Sequence, residues 1–301
     1  MRTLVLGSSG QIGGEVALHF EADGRYELLS PKRSELELHN REKTNQYFKK
    51  FRPELVVNAA GINGGIVRNL NEGRLLAEHN LRICFNVMEA SKSIGVNRLI
   101  TFAPSCGYPS KESGLLREEM YGEGSLESSS ELYARAKILE QRLVLDARLK
   151  MGVQWQVLIP SNVYGKLTNS ESEAGHVVES LWYKFSRQQT DIVDVWGSGN
   201  AKRNLIHKED VASAVGFIIQ KNITDPTINI VSNDNITIRE LAEEISITLA
   251  SDKVINYDLS KPEGARSKTL DGSVLSNYGW SPRLSIQMGL KKMLSASNHL
   301  N

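Results

Sequence analysis

The chain has 301 residues, with 36 Lys+Arg against 35 Asp+Glu and a formal net charge of +1. At about 150 residues per domain, that length suits one large domain or two small ones. The balanced charge argues against a general nucleic-acid binder or a polybasic membrane anchor, and 40% apolar with 24% charged residues is the composition of a chain that buries a core.

Strand and helix signals alternate along the first half. Thr3 to Leu6 reads as a short buried strand, followed by the glycine-rich run Gly7-Ser8-Ser9-Gly10-Gln11-Ile12-Gly13 and a helix from Gly14 to Glu21. Tyr26 to Ser30 is a second strand, Asn45 to Phe51 a helix ended by Pro53, and Leu55 to Asn58 a third strand. Leu75 to Ile94 is a long helix pattern with Gly95 as its C-cap, Arg98 to Phe102 a fourth strand, Glu131 to Leu149 a second long helix, and Val153 to Ile159 a fifth strand. After Tyr164 the pattern loosens. Helices are expected at Val177–Arg187, Glu209–Gln220, Arg239–Leu249 and Ser285–Leu294, with a strand at Ile228–Val231. Strands alternating with helices imply an α/β fold with a parallel, doubly wound sheet and right-handed crossovers. A smaller, mostly C-terminal lobe completes it. The division expected is 1–165 with 200–232 for the sheet domain, and 166–199 with 233–301 for the lobe.

Cys84 and Cys106 are the only cysteines, too few for a disulfide scaffold. No run approaches the ~20 apolar residues of a membrane span, and the first residues lack a signal-peptide pattern. A soluble, cytoplasmic protein in a reducing compartment is the expectation. The six histidines show no metal-ligand spacing, so no metal is expected.

Gly7, Gly10 and Gly13 follow a strand and open a helix. Glycine lets the backbone approach a pyrophosphate, and the helix N-terminus offers free N–H groups and the positive end of its dipole. In this context the run predicts a Rossmann-type dinucleotide site. Enzymes that use NAD place an acid near the end of the second strand, for the ribose hydroxyls. Here that strand ends at Ser30 and is followed by Pro31, Lys32 and Arg33, two cations that suit a 2′-phosphate and hence NADP.

Tyr133 and Lys137 lie four residues apart on one helix face. A cation beside a phenol stabilises the phenolate and lowers its pKa, which fits the phenol for general acid–base work. Tyr257 and Lys261 share the spacing, but Pro262 follows and no helix is expected there.

With these residues in place the chain resembles the extended short-chain dehydrogenases/reductases, and within them the GDP-L-fucose synthase (GDP-4-keto-6-deoxymannose epimerase/reductase) family, over nearly its whole length. The matching segments are Asn58-Ala59-Ala60 with Gly64-Gly65-Ile66, Ser105-Cys106-Gly107-Tyr108-Pro109, Tyr133-x-x-x-Lys137 and Pro160-Ser-Asn162-Val163-Tyr-Gly165. His176-Val177, Val195-Trp196-Gly-Ser-Gly199, Arg203, Leu205 to Asp210, Lys261 to Gly264, Lys268 to Asp271 and Gly279-Trp280 follow in order. The resemblance implies that Tyr133 donates a proton to a sugar keto oxygen while NADPH delivers hydride, and that Lys137 lowers the phenol's pKa and holds the nicotinamide ribose. It implies Cys106 and His176 as the epimerisation acid/base pair, residue types that titrate near neutral pH and exchange protons beside a ketone. It places Asn58, Ala59, Ala60, Pro160, Asn162, Val163 and His176 with the Gly7–Gly13 loop at the cofactor, and Lys184, Trp196, Arg203, Glu263 and Lys268 at the nucleotide sugar. Two long helices from each subunit form the family's dimer interface, so a homodimer is expected, with Leu75–Ile94 and Glu131–Leu149 as its helices.

The chain departs from that pattern at four positions. Pro104 stands where the family has Ser or Thr, removing a hydroxyl expected to bond the keto oxygen, and Ser105 is the candidate to replace it. Lys184 stands for Arg, Glu263 for Asp and Gly107 for Ile. The leading expectation is an epimerase/reductase of GDP-4-keto-6-deoxymannose. The alternatives are a reductase or epimerase of another nucleotide-linked keto sugar, such as a deoxy-heptose, and a non-catalytic NADP-binding regulator.

Overall fold

The computed structural model describes residues 1–110, 114–165, 176–261 and 267–298. In chain order the first elements are β1 (Arg2–Leu6), α1 (Gln11–Asp23), β2 (Glu27–Leu29), α2 (Arg41–Phe51), β3 (Leu55–Asn58), α3 (Ile66–Ser93) and β4 (Arg98–Phe102). A 3₁₀ turn at Ser105–Gly107 leads to β5 (Leu115–Leu116), α4 (Glu131–Met151), β6 (Gln154–Pro160) and β7 (Asn162–Tyr164). Then come α5 (Val177–Arg187), β8 (Ile192–Trp196), β9 (Lys202–His207), α6 (Lys208–Gln220), β10 (Thr227–Ile230), β11 (Asn235–Thr237) and α7 (Ile238–Thr248). The chain closes with β12 (Val254–Asp258), β13 (Ser267–Leu270), α8 (Ser273–Asn277) and α9 (Ile286–Asn298).

Six strands form one all-parallel sheet in the order β10-β6-β4-β3-β1-β2. Its inner strands are apolar on both faces because helices cover both. Leu4, Leu6, Val56, Leu99, Val157 and Ile159 join one core with Phe48, Ile83, Val87 and Val144. Val5, Val57, Ile100 and Leu158 join the other with Val16, Phe20, Val211 and Val215. The strand order reverses between β1 and β3, whose carboxyl ends therefore open a crevice, the ligand position of a doubly wound sheet.

The smaller lobe has its own core of Leu181, Trp182, Phe185, Val193, Leu241, Ile245 and Leu290. Around it stand a sheet in the order β11-β9-β13-β5, with β7 paired to β9, and the parallel pair β12-β8. The sequence pattern is too weak to reveal these short strands, because each has only 2–6 residues and pairs with a distant segment.

Local signals explain several helix ends. Asn40 caps α2 by accepting from the Lys43 N–H at 2.9 Å, and Thr237 with Glu240 forms a reciprocal capping box on α7. Gly152, at φ +68°, ends α4 in the left-handed conformation. The long helix expected from Leu75 begins earlier, at Ile66, with non-helical dihedrals at Glu72 separating its first turns from the rest.

Candidate active site

The phosphate loop sits in the crevice beside β1 and β3. Gly7 has φ +78°, and a Cβ there would lie 2.7 Å from Ala59 carbonyl atoms and the Ala60 nitrogen. A Cβ on Gly13 would meet the Gly7 carbonyl oxygen at 2.3 Å. Backbone packed this closely admits only hydrogen as a side chain. Gly10 precedes α1 without a side-chain cap, and no acidic residue stands in that helix's first turn. The Gln11 and Ile12 N–H groups thus belong to an unopposed helix N-terminus.

A cavity of about 220 Å³ adjoins the loop, lined by Gly7, Ser8, Ser9 and Gly10 together with Arg33, Ala59 and Ala60 among others. Arg33 reaches its wall and pairs with Glu37 at 3.2 Å, whereas Lys32 does not line it. His39 continues the wall, bonding Glu37 at 2.7 Å and His79 at 2.6 Å, and its contact holds the Glu37 carboxyl down at about 2. Ser8 Oγ donates to the Ser30 carbonyl at 3.3 Å, tying the loop to the end of β2. Asn58 is buried and its side-chain oxygen accepts from the Ala60 N–H at 3.2 Å, shaping the turn out of β3. A close backbone cradle, an open helix N-terminus and the Arg33 guanidinium at the wall fit a dinucleotide carrying an extra phosphate.

Tyr133 and Lys137 stand on the inward stripe of α4. The expected depression of the Tyr133 phenol by Lys137 does not appear. Burial raises the phenol well above its usual value, and the Cys106 thiol and the Glu140 carboxylate push the same way. The Lys137 ammonium is instead paired with Glu140, to which Thr101 also donates.

Cys106 lies on the 3₁₀ turn after β4, close enough to Tyr133 for their ionisations to oppose each other. Burial pushes its thiol up to about 11, while Lys268 and the hydrogen bond with Ser130 pull the other way. Lys268, buried on β13, pairs with Glu127 at 2.9 Å beside this group. His176 stands at the N-cap position of α5 without a side-chain cap bond, exposed, with its Nε2 3.4 Å from the Asn63 amide, and partial desolvation lowers its pKa. Both shifts favour the uncharged forms, the thiol over the thiolate and the imidazole over the imidazolium.

Pro104 initiates the 3₁₀ turn and its carbonyl accepts from the Tyr121 hydroxyl at 3.2 Å. Ser105 follows directly and is half-buried. Pro160 ends β6, and Asn162 and Val163 form β7 in register with Leu205 and Ile206. Among the sugar-contact candidates, Lys184 is buried, with Nζ on the Asp194 carbonyl at 2.7 Å, and Trp196 is 37% exposed at the end of β8, with Lys261 over its ring. Arg203 lies on β9 and donates to the Lys202 carbonyl at 2.8 Å. Glu263 lies outside the described residues. His207 caps α6 by accepting from the Glu209 N–H at 3.3 Å, a structural role. Tyr257 belongs to strand β12 and is stacked by Arg239 at 3.8 Å, so its spacing to Lys261 pairs no helix face.

Glu140 and Glu179 were not singled out from the sequence. Glu140 carried a readable signal, three residues beyond Lys137 on a helix. Glu179 carried none. Its carboxyl is raised by burial to about 7 and accepts from Gln11 at 3.4 Å, and among the described residues no hydrogen bond reaches its Oε2.

Comparison with known proteins places this geometry. The model of the NAD dependent epimerase/dehydratase family matches residues 3–231. A GDP-L-colitose synthase of Yersinia pseudotuberculosis is 31% identical over 297 residues, covering 97% of this chain and 96% of the relative. A GDP-L-fucose synthase of Sinorhizobium fredii is 31% identical over 294 residues, covering 97% and 93%. Among solved structures, a GDP-6-OMe-4-keto-L-xylo-heptose reductase from C. jejuni superposes with a TM-score of 0.91 at 22% identity, covering 100% of this chain and 98% of that one.

Proposed function

The chain belongs to the NAD dependent epimerase/dehydratase family, and on that premise we propose that it is an NADPH-dependent epimerase/reductase of a GDP-linked 4-keto-6-deoxy sugar, with GDP-4-keto-6-deoxymannose as substrate and GDP-L-fucose as product. The observation that supports this reading is Tyr133 on α4 lying close to Cys106 on the turn after β4, with Lys137 on the same helix face, in a parallel sheet whose β1–α1 turn carries the glycine loop.

The Gly7–Gly13 loop, Asn58, Ala59, Ala60 and Arg33 hold the cofactor, with Lys32, Pro160, Asn162, Val163 and His176 around it. Bound NADPH supplies hydride to the keto carbon. Tyr133 Oη, kept protonated by its buried setting, donates its proton to the developing alkoxide. Epimerisation comes first and needs a base on one face of the carbon next to the ketone and an acid on the other. His176, as an uncharged imidazole, accepts that proton, and the Cys106 thiol returns one. Ser105 takes over the hydroxyl that Pro104 cannot supply. Lys184, Trp196, Arg203, Glu263 and Lys268 grip the nucleotide sugar, with Arg203 suited to the diphosphate by its planar fork.

Two further parts complete the proposal. Leu70, Leu75 and Phe85 of α3 and Leu132 and Leu139 of α4 are exposed large apolar residues on helices that pack together, which supports a homodimer through these helices. No helix among the described residues is long and apolar enough to cross a membrane, and two unpaired thiols suit a cytoplasmic setting.

A second reading, another GDP-linked keto-deoxy sugar, is favoured by the 31% identity to the GDP-L-colitose synthase. The test is a coupled assay in which GDP-mannose is dehydrated enzymatically and the purified protein is added with NADPH. Loss of NADPH absorbance with GDP-L-fucose identified by NMR is the expected result. Oxidation to a different sugar selects the second reading. Cofactor binding without turnover over a panel of nucleotide keto sugars refutes both.

A further inference from the structure

Two departures from the family pattern, Pro104 for Ser or Thr and Gly107 for Ile, bound the short turn that carries Ser105 and Cys106. The turn holds itself by two bonds, from the Gly107 N–H to the Pro104 carbonyl and from the Tyr108 N–H to the Ser105 carbonyl, each 3.2 Å long. A single 3₁₀ turn with bonds at the long end of the range gains little rigidity from them. Pro104 brings no N–H, so residue 104 can be anchored through its backbone only at the carbonyl.

Tyr121 supplies that anchor. Gly107 is buried and its φ is not positive, so a glycine is needed there for space rather than for conformation. A Cβ on it would lie 2.3 Å from Tyr121 Cζ, 2.4 Å from Oη and 2.5 Å from Cε2. The tyrosine ring thus occupies the volume that a side chain at 107 would fill. Its Oη donates to the Pro104 carbonyl at 3.2 Å, and a hydroxyl on a residue only 1% exposed requires such a partner. The ring also meets Tyr108 edge-on, with centroids 5.1 Å apart and 87° between the planes, and the Gly122 N–H donates to the Gly107 carbonyl at 2.9 Å. Tyr121 and Gly122 therefore hold the turn at both of its ends.

We propose that Tyr121 is a positioning residue: its ring stands in for the side chain missing at Gly107 and its hydroxyl holds the Pro104 carbonyl, so that the turn presents Ser105 and Cys106 to the sugar in one fixed arrangement. The proposal rests on the roles given to Ser105 and Cys106 above, but not on the identity of the sugar. It joins the two departures into one device, because an isoleucine at 107 could not coexist with this ring and the carbonyl of Pro104 is what the ring's hydroxyl grips.

The turn can be read without a sugar, through Cys106. Alkylation by iodoacetamide is followed at fixed pH, and Cys106→Ala gives the background from Cys84, which is buried. Tyr121→Phe keeps the ring and loses the bond to Pro104. The freed turn opens more often, so Cys106 alkylation is expected to quicken by about threefold or more. In the coupled assay the same variant should lose roughly 10- to 100-fold in kcat, with NADPH affinity within about twofold of the parent. Gly107→Ala drives its Cβ into the ring and should act in the same direction. Gly107→Ala/Tyr121→Leu removes the ring atoms in the way and should be more active than Gly107→Ala alone. A ring that only filled the core would instead leave this double variant, with the least packing, the worst of the set. A folded Tyr121→Phe with the parent's alkylation rate, or a double variant no better than Gly107→Ala, overturns the proposal. Should Gly107→Ala fail to fold, the alkylation rate of Tyr121→Phe decides. If the parent turns over no nucleotide keto sugar while Tyr121→Phe alkylates faster, the proposed function fails and the hold of Tyr121 on the turn stands.

Discussion

Gly13→Ala tests the phosphate loop most directly. The added Cβ would stand 2.3 Å from the Gly7 carbonyl oxygen, 2.7 Å from its carbon and 3.2 Å from the Ala59 Cβ. Real Cβ atoms do not approach within 3.0 Å, so the loop or the start of α1 must move by at least about 0.7 Å. The atoms in the way are backbone, and the same Gly7 oxygen accepts from the Gly10 N–H at 2.8 Å, so no side chain can simply rotate aside. Overpacking of this kind costs roughly 1–3 kcal/mol. For 301 residues at about 2.1 cal/mol/K each, the unfolding entropy is roughly 630 cal/mol/K, so the melting temperature should fall by about 2–5 °C. The displaced N–H groups are the ones assigned to the diphosphate. A loss of about 1–3 kcal/mol there weakens NADPH binding roughly 5- to 150-fold. Calorimetry and a fluorescence titration of NADPH read the two effects separately. A variant with unchanged melting temperature and unchanged cofactor affinity would refute both the close packing and the assignment of the loop.

Tyr133→Phe should lower ketone reduction by roughly 10²–10⁴-fold while leaving NADPH affinity within about twofold; equal losses in both would mean that the phenol binds cofactor rather than donating a proton. Ser105→Ala should cut turnover sharply with little change in NADPH affinity, and unaltered turnover would remove Ser105 from the role vacated at Pro104. Glu179 has a folded-state pKa of about 7 against 4.5 unfolded, so it favours folding when protonated. Its contribution is intact below about pH 4.5 and is lost as pH rises toward 7, by at most about 3 kcal/mol. His207, lowered to about 4 by burial, acts oppositely, with stability rising between pH 4 and 6.5. Melting curves of Glu179→Gln from pH 5 to 8 should therefore show the variant gaining on the parent as pH rises; parallel pH curves would show that Glu179 is ionised normally.

Much of the catalytic half can be read locally. β3, β4 and α5 lie where alternation and apolar runs place them, and the loop at Gly7–Gly13 announces itself by its strand–glycine–helix order. Lys184 shows the limit of that reading. Its place at the nucleotide sugar comes from the resemblance, and the fold adds what the residue type could not show, a bond from its ammonium to the Asp194 carbonyl on the next strand. A single sequence records that a cation is present, but not which acceptor lies within reach.

Composition, the alternating strand and helix signals and the glycine spacing were enough to determine a doubly wound sheet with a dinucleotide loop, because each depends on neighbours a few residues away. The protonation states at the site were decided only by the tertiary structure. Tyr133 is raised rather than lowered because α4 is buried against β4 and brings Glu140 to Lys137 and Thr101. Cys106 is raised because the 3₁₀ turn is covered, against the pull of Lys268, which reaches Glu127 beside it from 141 residues away. Gln11 reaches Glu179 across 168 residues. Desolvation and charge act through distance and burial, and for these pairs both are set by the packing of segments far apart in the chain.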